Sequence, residues 1–242
     1  MTSKLLQVLS HPVKLEILKV ITDKSEHVES IAQKVDISSE EAKIHLNRLH
    51  EAGLVDKEPG GTYRAGPFGQ LTLSLLLDLD FVATHSEFFR NLNLSLLPIS
   101  FVERLGELKE SERLEGTVNN LQHAERMFDQ AEENISVIAN EVMLDAVPVV
   151  REKISRGTNF RFIIDQTFKP PSDFKATKPQ LWRQIWKIPA ATVVTDKEAM
   201  IFFLGRDLKV DYSIGFMSKE PTFMKWCEDL VDHLWTQGQK IE

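Results

Sequence analysis

A single cysteine, Cys227, stands among 242 residues, so the chain can form neither an internal disulfide nor a cysteine-based metal framework. Long apolar runs are missing too. The greasiest stretch, Leu71 to Ala83, is broken by Ser74, Asp78 and Asp80, well short of the roughly 18 apolar residues a membrane span requires. The opening MTSKLLQVLSHPVK has neither the cationic stretch nor the apolar core of a secretory signal. These absences predict a protein of the reducing cytoplasm with no membrane partner. There is no phosphate loop, no Gly-x-Ser-x-Gly elbow and no His-Glu-x-x-His motif, so no cofactor, metal or catalytic residue is expected. Positive charge is also short: 29 Lys plus Arg face 36 Asp plus Glu, for a net charge of −7, which on its face argues against a nucleic-acid partner. What is present is 42% hydrophobic residues, in a chain longer than the roughly 100–150 residues of one typical domain.

The texture changes near residues 58–70, where Glu58-Pro59-Gly60-Gly61-Thr62 and Gly66-Pro67-Phe68-Gly69 form turn clusters. Residues 1–68 read as one small domain, 69–116 as a helical connector or dimerisation segment, and 117–242 as an α/β effector or sensor domain. The connector looks like two helices interrupted at Pro98, and its charged run from Glu107 to Arg113 reads as a solvated helix end or loop.

In the first domain, Pro12 starts a helix with Val13, Ile17, Leu18 and Ile21 as its buried stripe. A second helix runs from about Val28 to Val35. Ser38-Ser39-Glu40-Glu41 then matches a capping box and Gly53 ends the third helix. At about 100° per residue, Ala42, Leu46 and Leu49 share one side of this helix. Glu40, Ile44, Asn47 and Glu51 lie opposite, flanked by Lys43 and Arg48. Leu54-Val55-Asp56-Lys57 and Thr62-Tyr63-Arg64 bracket the Pro-Gly-Gly turn as a β-hairpin. Three helices and a hairpin predict a winged helix-turn-helix, whose third helix enters the major groove of double-stranded DNA.

His11-Pro12-Val13-Lys14-Leu15-Glu16-Ile17-Leu18 and Ile44-His45-Leu46-Asn47-Arg48-Leu49-His50-Glu51-Ala52-Gly53-Leu54-Val55 resemble the winged helices of ArsR-like archaeal transcription regulators. The second helix has no cysteine box, so the metal sensing of ArsR proteins does not carry over. The DNA-contacting set is expected to be Lys14, Ser39, Lys43, Ile44, Asn47, Arg48, Lys57, Tyr63 and Arg64, on a homodimer that doubles the phosphate contacts. Residues 1–68 hold 9 Lys and Arg against 10 Asp and Glu, a net of −1, which leaves −6 for the rest. With Glu40 and Glu51 on the outer face, the expected affinity is modest. A winged helix that docks protein instead of DNA is the alternative.

Residues 71–108, with Phe81, His85, Glu87, Phe88, Phe89, Leu97, Pro98 and Leu105, resemble the middle region of the archaeal methanogenesis regulatory protein family. Ile188-Pro189, Val194, Asp196, Gly205, Asp211, Ser218, Phe223, Trp226 and Leu234-Trp235 are similar to the effector domain of those regulators. The resemblance implies a phospholipase-D-like fold, as in TrmB-type regulators, and hence an overall α+β and α/β class. Phospholipase-D chemistry needs a His-x-Lys nucleophile, and none of the seven histidines has a lysine two places on.

The residues themselves predict an amphipathic helix with Leu121, Ala124, Phe128, Ala131 and Ile135 on one face, then a short strand at Ser136 to Ala139. A helix through Val147, Val150 and Ile154, ended by Gly157, leads to a strand at Asn159 to Asp165. That strand, helix and strand make a parallel pair. A hairpin around Asp196-Lys197-Glu198, a strand near Tyr212 to Met217 and a last helix follow. Cys227 lies in that helix's apolar stripe, so a buried inert thiol is expected. The crevice beyond the parallel strands places Asn140, Asp165 and Gln166 at a ligand site. Trp182 and Trp186 share a face if their segment turns helically, with Arg183 ready for a carboxylate or phosphate. Either the segment between Gln166 and Pro189 is a lid over a small anionic effector, or the two tryptophans pack as core.

Overall fold

The structure, a computed structural model, describes residues 2–166, 168 and 181–240. The chain forms two compact units, Met1–Asp80 and Phe81–Glu242.

The first unit contains α1 (Thr2–Leu9), α2 (Pro12–Val20), β1 (Glu26–His27), α3 (Val28–Val35), α4 (Ser39–Glu51), β2 (Val55–Lys57) and β3 (Thr62–Ala65), and the boundary falls within α5 (Pro67–Thr84). Pro12 opens α2, where its missing N–H is not needed. Asp36 ends α3 in the left-handed region at φ 58°, a conformation that Asp tolerates better than most residues. Ser38 Oγ accepts a hydrogen bond from the Glu41 N–H at 3.1 Å, as the capping box requires. The Glu41 carboxylate turns the other way along the helix, lying 3.6 Å from His45 Nε2.

β2 and β3 form the expected hairpin, and β1 adds a third antiparallel strand in the order β1-β3-β2. Gly60 and Gly61 at the hairpin tip have φ values of 99° and 83°, which only glycine adopts cheaply. Ile17, Leu18, Ile21, Ile31, Leu46, Leu49 and Leu54 make a fully buried core. Leu73 and Leu77 of α5 join it, and a Cβ on Gly69 would sit 1.9 Å from the Leu54 carbonyl oxygen. Close approach of α5 to that carbonyl therefore requires glycine.

The second unit is built on an eight-stranded sheet with the order β11-β7-β6-β5-β8-β9-β10-β4. Its strands are β4 (Glu112–Glu115), β5 (Asn134–Ala139), β6 (Asn159–Asp165), β7 (Trp182–Ile185), β8 (Ala190–Thr195), β9 (Ala199–Phe203), β10 (Ile214–Ser218) and β11 (Gln239–Lys240). Its helices are α6 (Ser86–Arg90), α7 (Ile99–Val102), α8 (Thr117–Gln130), α9 (Val147–Ser155) and α10 (Pro221–Gln237). β5, β6 and β7 run parallel, and α9 is the crossover between β5 and β6. β8 and β9 form the expected hairpin. Successive residues of β6 point to opposite faces. Phe160 and Phe162 face α8 and α9, and Arg161 pairs with Asp232 of α10 on the other side.

Three expectations need correction. Segment 69–116 does not stand apart: Leu73 belongs to the first core, and Phe81, Phe88, Leu97, Phe101, Leu105 and Leu108 belong to the second. Its charged stretch is not all loop either. A 3-10 turn at Leu105–Leu108 leads to β4, an edge strand on β10. β4 carries charge on both faces, Glu112 on one and the Arg113–Glu115 pair at 3.2 Å on the other, so it lacks the apolar alternation that marks buried strands. Finally, Trp182 to Ile185 is a parallel strand beside β6 and not a helical turn.

Candidate functional site

Each unit holds one candidate site, an exposed surface in the first and a cavity in the second. In the first unit, α4 packs through Ala42, His45, Leu46 and Leu49 and leaves Ser39, Glu40, Lys43, Ile44, Asn47, Arg48 and Glu51 exposed. Ile44 is 49% exposed. On the wing, Lys57 and Arg64 are exposed, and Lys57 Nζ lies 5.8 Å from the centre of the Tyr63 ring. Among the described residues, no ion pair holds Lys43, Arg48, Lys57 or Arg64. His50 Nδ1 lies 2.7 Å from the Val55 carbonyl oxygen, which ties the end of α4 to the start of the wing.

Two of the expected DNA contacts are buried. Lys14 donates from Nζ to the Val8 carbonyl at 2.6 Å and so links α1 to α2. Burial, and then the charge of Arg48, hold its amine below the usual lysine range. Its position was legible, because residues 14, 17, 18 and 21 recur at helical spacing on one face. Tyr63 points into the core, as strand alternation places Tyr63 and Ala65 inward and Arg64 outward.

His45 is the unexpected member of α4. Its ring is buried, sits 4.7 Å from the His11 ring between centroids, and leaves Nδ1 without a hydrogen-bond partner among the described residues. Burial is the main cause that lowers its pKa, and the charge of His11 adds to it, against a raising contribution from Glu41.

In the second unit, α8 and α9 lie over β5, β6, β8 and β9 and enclose a cavity of about 330 Å³. Its walls are mostly aliphatic and aromatic, with Phe128, Val150, Phe162 and Trp182 among them. The Trp182 ring meets Phe162 edge-on, with centroids 4.4 Å apart. Of the six expected ligand residues, Trp182 alone lines this space. Asn140 lies next to it, its Oδ1 accepting from the hydroxyl of the lining residue Tyr212 at 2.6 Å.

The others do different work. The Asp165 carboxylate is buried and accepts from the Ile188 N–H at 3.4 Å. Gln166 is exposed, and its N–H donates to the Ile185 carbonyl at 2.8 Å. The Arg183 guanidinium stacks 4.5 Å from the Trp235 ring centre and donates to the Trp182 carbonyl at 3.0 Å. Trp186 is 73% exposed and so does not pack as core. The stretch with Pro170, Pro171 and Pro179, which the lid reading needs, lies outside the described residues.

Sequence reasoning missed Arg151 and Tyr212, both on the cavity lining. The faces carrying Val147, Val150, Ile154, Phe160 and Phe162 were legible. A deficit of volume between such faces has no sequence signal.

No protein-family model matches the chain, and no curated protein matches it. Solved structures do show similarity. An archaeal chromatin protein, TrmBL2, described as having a novel mode of DNA binding, is 12% identical over 97% of each chain, with a TM-score of 0.45. The homodimeric winged helix-turn-helix domain of a possible ArsR-family transcriptional regulator from Mycobacterium bovis is 24% identical, covering 35% of this chain and 79% of that one, with a TM-score of 0.31. A phospholipase D family member, Nuc from Salmonella typhimurium, is 13% identical, covering 50% of this chain and 90% of that one, with a TM-score of 0.37.

Proposed function

We propose that this protein is a non-catalytic transcription regulator that binds double-stranded DNA as a homodimer through α4 and the wing, and senses a small molecule with its second unit. The observation that carries the proposal is the set of four cations, Lys43, Arg48, Lys57 and Arg64, unpaired among the described residues, on the exposed face of a winged helix. Phosphate contacts fix such a domain on the duplex, and Asn47 and Ile44, both exposed on α4, would meet base edges, Ile44 by apolar contact with a thymine methyl. Dimerisation is supported by Phe68, Leu71, Leu75 and Leu79, which leave an exposed apolar stripe along α5. A catalytic role is opposed by the absence of any His-x-Lys pair and by the burial of Cys227.

Anisotropy of a labelled duplex, titrated with the full chain at several salt concentrations, tests this reading. Lys43→Ala and Arg64→Ala are each expected to weaken binding and to reduce the log–log salt slope by about 0.9. A duplex that is not bound, or a slope unchanged in both variants, would favour a scaffold whose winged helix docks protein. Sequencing the DNA that the full chain retains from sheared genomic fragments would then name the operator.

A further inference from the structure

We infer that the cavity beneath α8 and α9 binds an amphipathic monocarboxylate, its acyl or aromatic body among the apolar walls and its carboxylate on Arg151. This rests on the reading of the second unit as a sensor and names the class of molecule it senses.

The walls select against polar ligands. Among the described residues, the buried polar groups of the lining are already paired: Asn120 Nδ2 donates to the Tyr212 carbonyl at 2.8 Å, Thr192 Oγ1 to the Met200 carbonyl at 2.6 Å, and the Tyr212 hydroxyl to Asn140 Oδ1 at 2.6 Å. A sugar or nucleotide would bury hydroxyls there with few partners, which is unfavourable. An apolar body loses nothing.

Size points the same way. Close-packed interiors rarely keep large voids, and an apolar cavity of about 150 Å³ stays dry and takes a benzene-sized guest. A space of about 330 Å³ therefore suits about two rings, or an acyl chain of similar bulk.

The polar end is set by the mouth. Arg151 of α9 and Glu141 both line the cavity and are both exposed, so solvent meets the cavity where they stand. Among the described residues, no ion pair holds Arg151. A guanidinium takes a carboxylate in a two-point hydrogen bond. Glu141 adds a negative charge to the same lining, which disfavours dianions such as phosphates more than a single carboxylate.

Calorimetric titration of the full chain, without DNA, with decanoate, decanol and decylamine tests the inference. The expected result is one decanoate bound per chain, weakened roughly tenfold or more by Arg151→Gln, with decanol binding unchanged by that variant. Val150→Trp, which fills the space under α9, should abolish both. If that variant does not fold by circular dichroism, Arg151→Gln at its exposed position carries the test. Failure of both decanoate and decanol to bind, equal weakening of the two by Arg151→Gln, or tighter binding of decylamine than of decanoate would overturn it. If decanoate fails while a polar metabolite raises the melting temperature, the ligand class falls and the sensor reading stands. If decanoate binds but leaves duplex affinity unchanged, the ligand site stands and the sensor reading falls.

Discussion

Among single residues, His45 illustrates how a side chain on the candidate DNA-reading helix can also set stability. Unfolded, it takes a proton at its ordinary pKa of about 6.5. Folded, burial lowers that value, so below about pH 6.5 the unfolded state holds more protons and stability falls with pH. The contribution is complete above the unfolded value and is lost as pH falls from there toward the lower folded value. His85, in the second unit, is lowered chiefly by burial, with a further contribution from Arg113, and acts with the same sign. His45→Leu removes the buried Nδ1 and is expected to flatten part of the fall in urea-unfolding stability between about pH 7 and about pH 5. An unchanged profile would show that His45 titrates alike in both states. Glu26, lowered to about 2 by hydrogen bonds from Lys34, Ser30 and Lys24, titrates below this window and does not confuse the reading. The lowered pKa was not visible in the sequence, where His45 is one letter of a motif, although its burial could have been read. Its burial follows from helical phase, one step round from Ala42 and Leu46.

For the elements, α5 carries the clearest consequence. Leu75 is 62% exposed, while Leu73, two residues away, is buried in the first core. The helix therefore has two apolar faces and only one of them is used within its unit. Leu75→Glu is expected to halve the mass seen by analytical ultracentrifugation at micromolar concentration, while leaving the helical circular dichroism signal unchanged. A persistent dimer would place the interface elsewhere. Elements with strong periodicity or punctuation were legible: α4 from its serine cap, the wing from its paired glycines, α9 and β6 from their apolar spacing. β4 and β7 were not, because an edge strand of charged residues and a four-residue strand beginning with tryptophan carry no alternation long enough to distinguish from loop or helix. β1, two residues long, is defined only by its partner β3.

For the whole molecule, the division at residue 80 moves the end of the first folding unit beyond the turn cluster near 66–69, where composition alone places it. The physical reason is Leu73, buried in a core that the first 68 residues cannot complete. A fragment of residues 1–80 is expected to unfold cooperatively in urea. A fragment of residues 1–68 should be less stable by about 2 kcal/mol or more, the worth of one buried leucine. Equal midpoints and slopes would show that α5 is dispensable to that core. The candidate sensor was half legible at this scale: the sheet and its crossover could be read, but the cavity lies between elements far apart in sequence, and only the folded arrangement brings Arg151 and Tyr212 to one space.

The lone thiol has a practical meaning. Cys227 is fully buried in α10, and burial pushes its pKa up to about 12, so it is protonated and shielded from alkylating reagents. The natural chain is thus already a silent background for site-directed spin labelling. A cysteine introduced at Ile44 would be the one reactive position on the chain, and dipolar spectroscopy between two such labels would report the spacing of the α4 helices in the proposed dimer with and without decanoate.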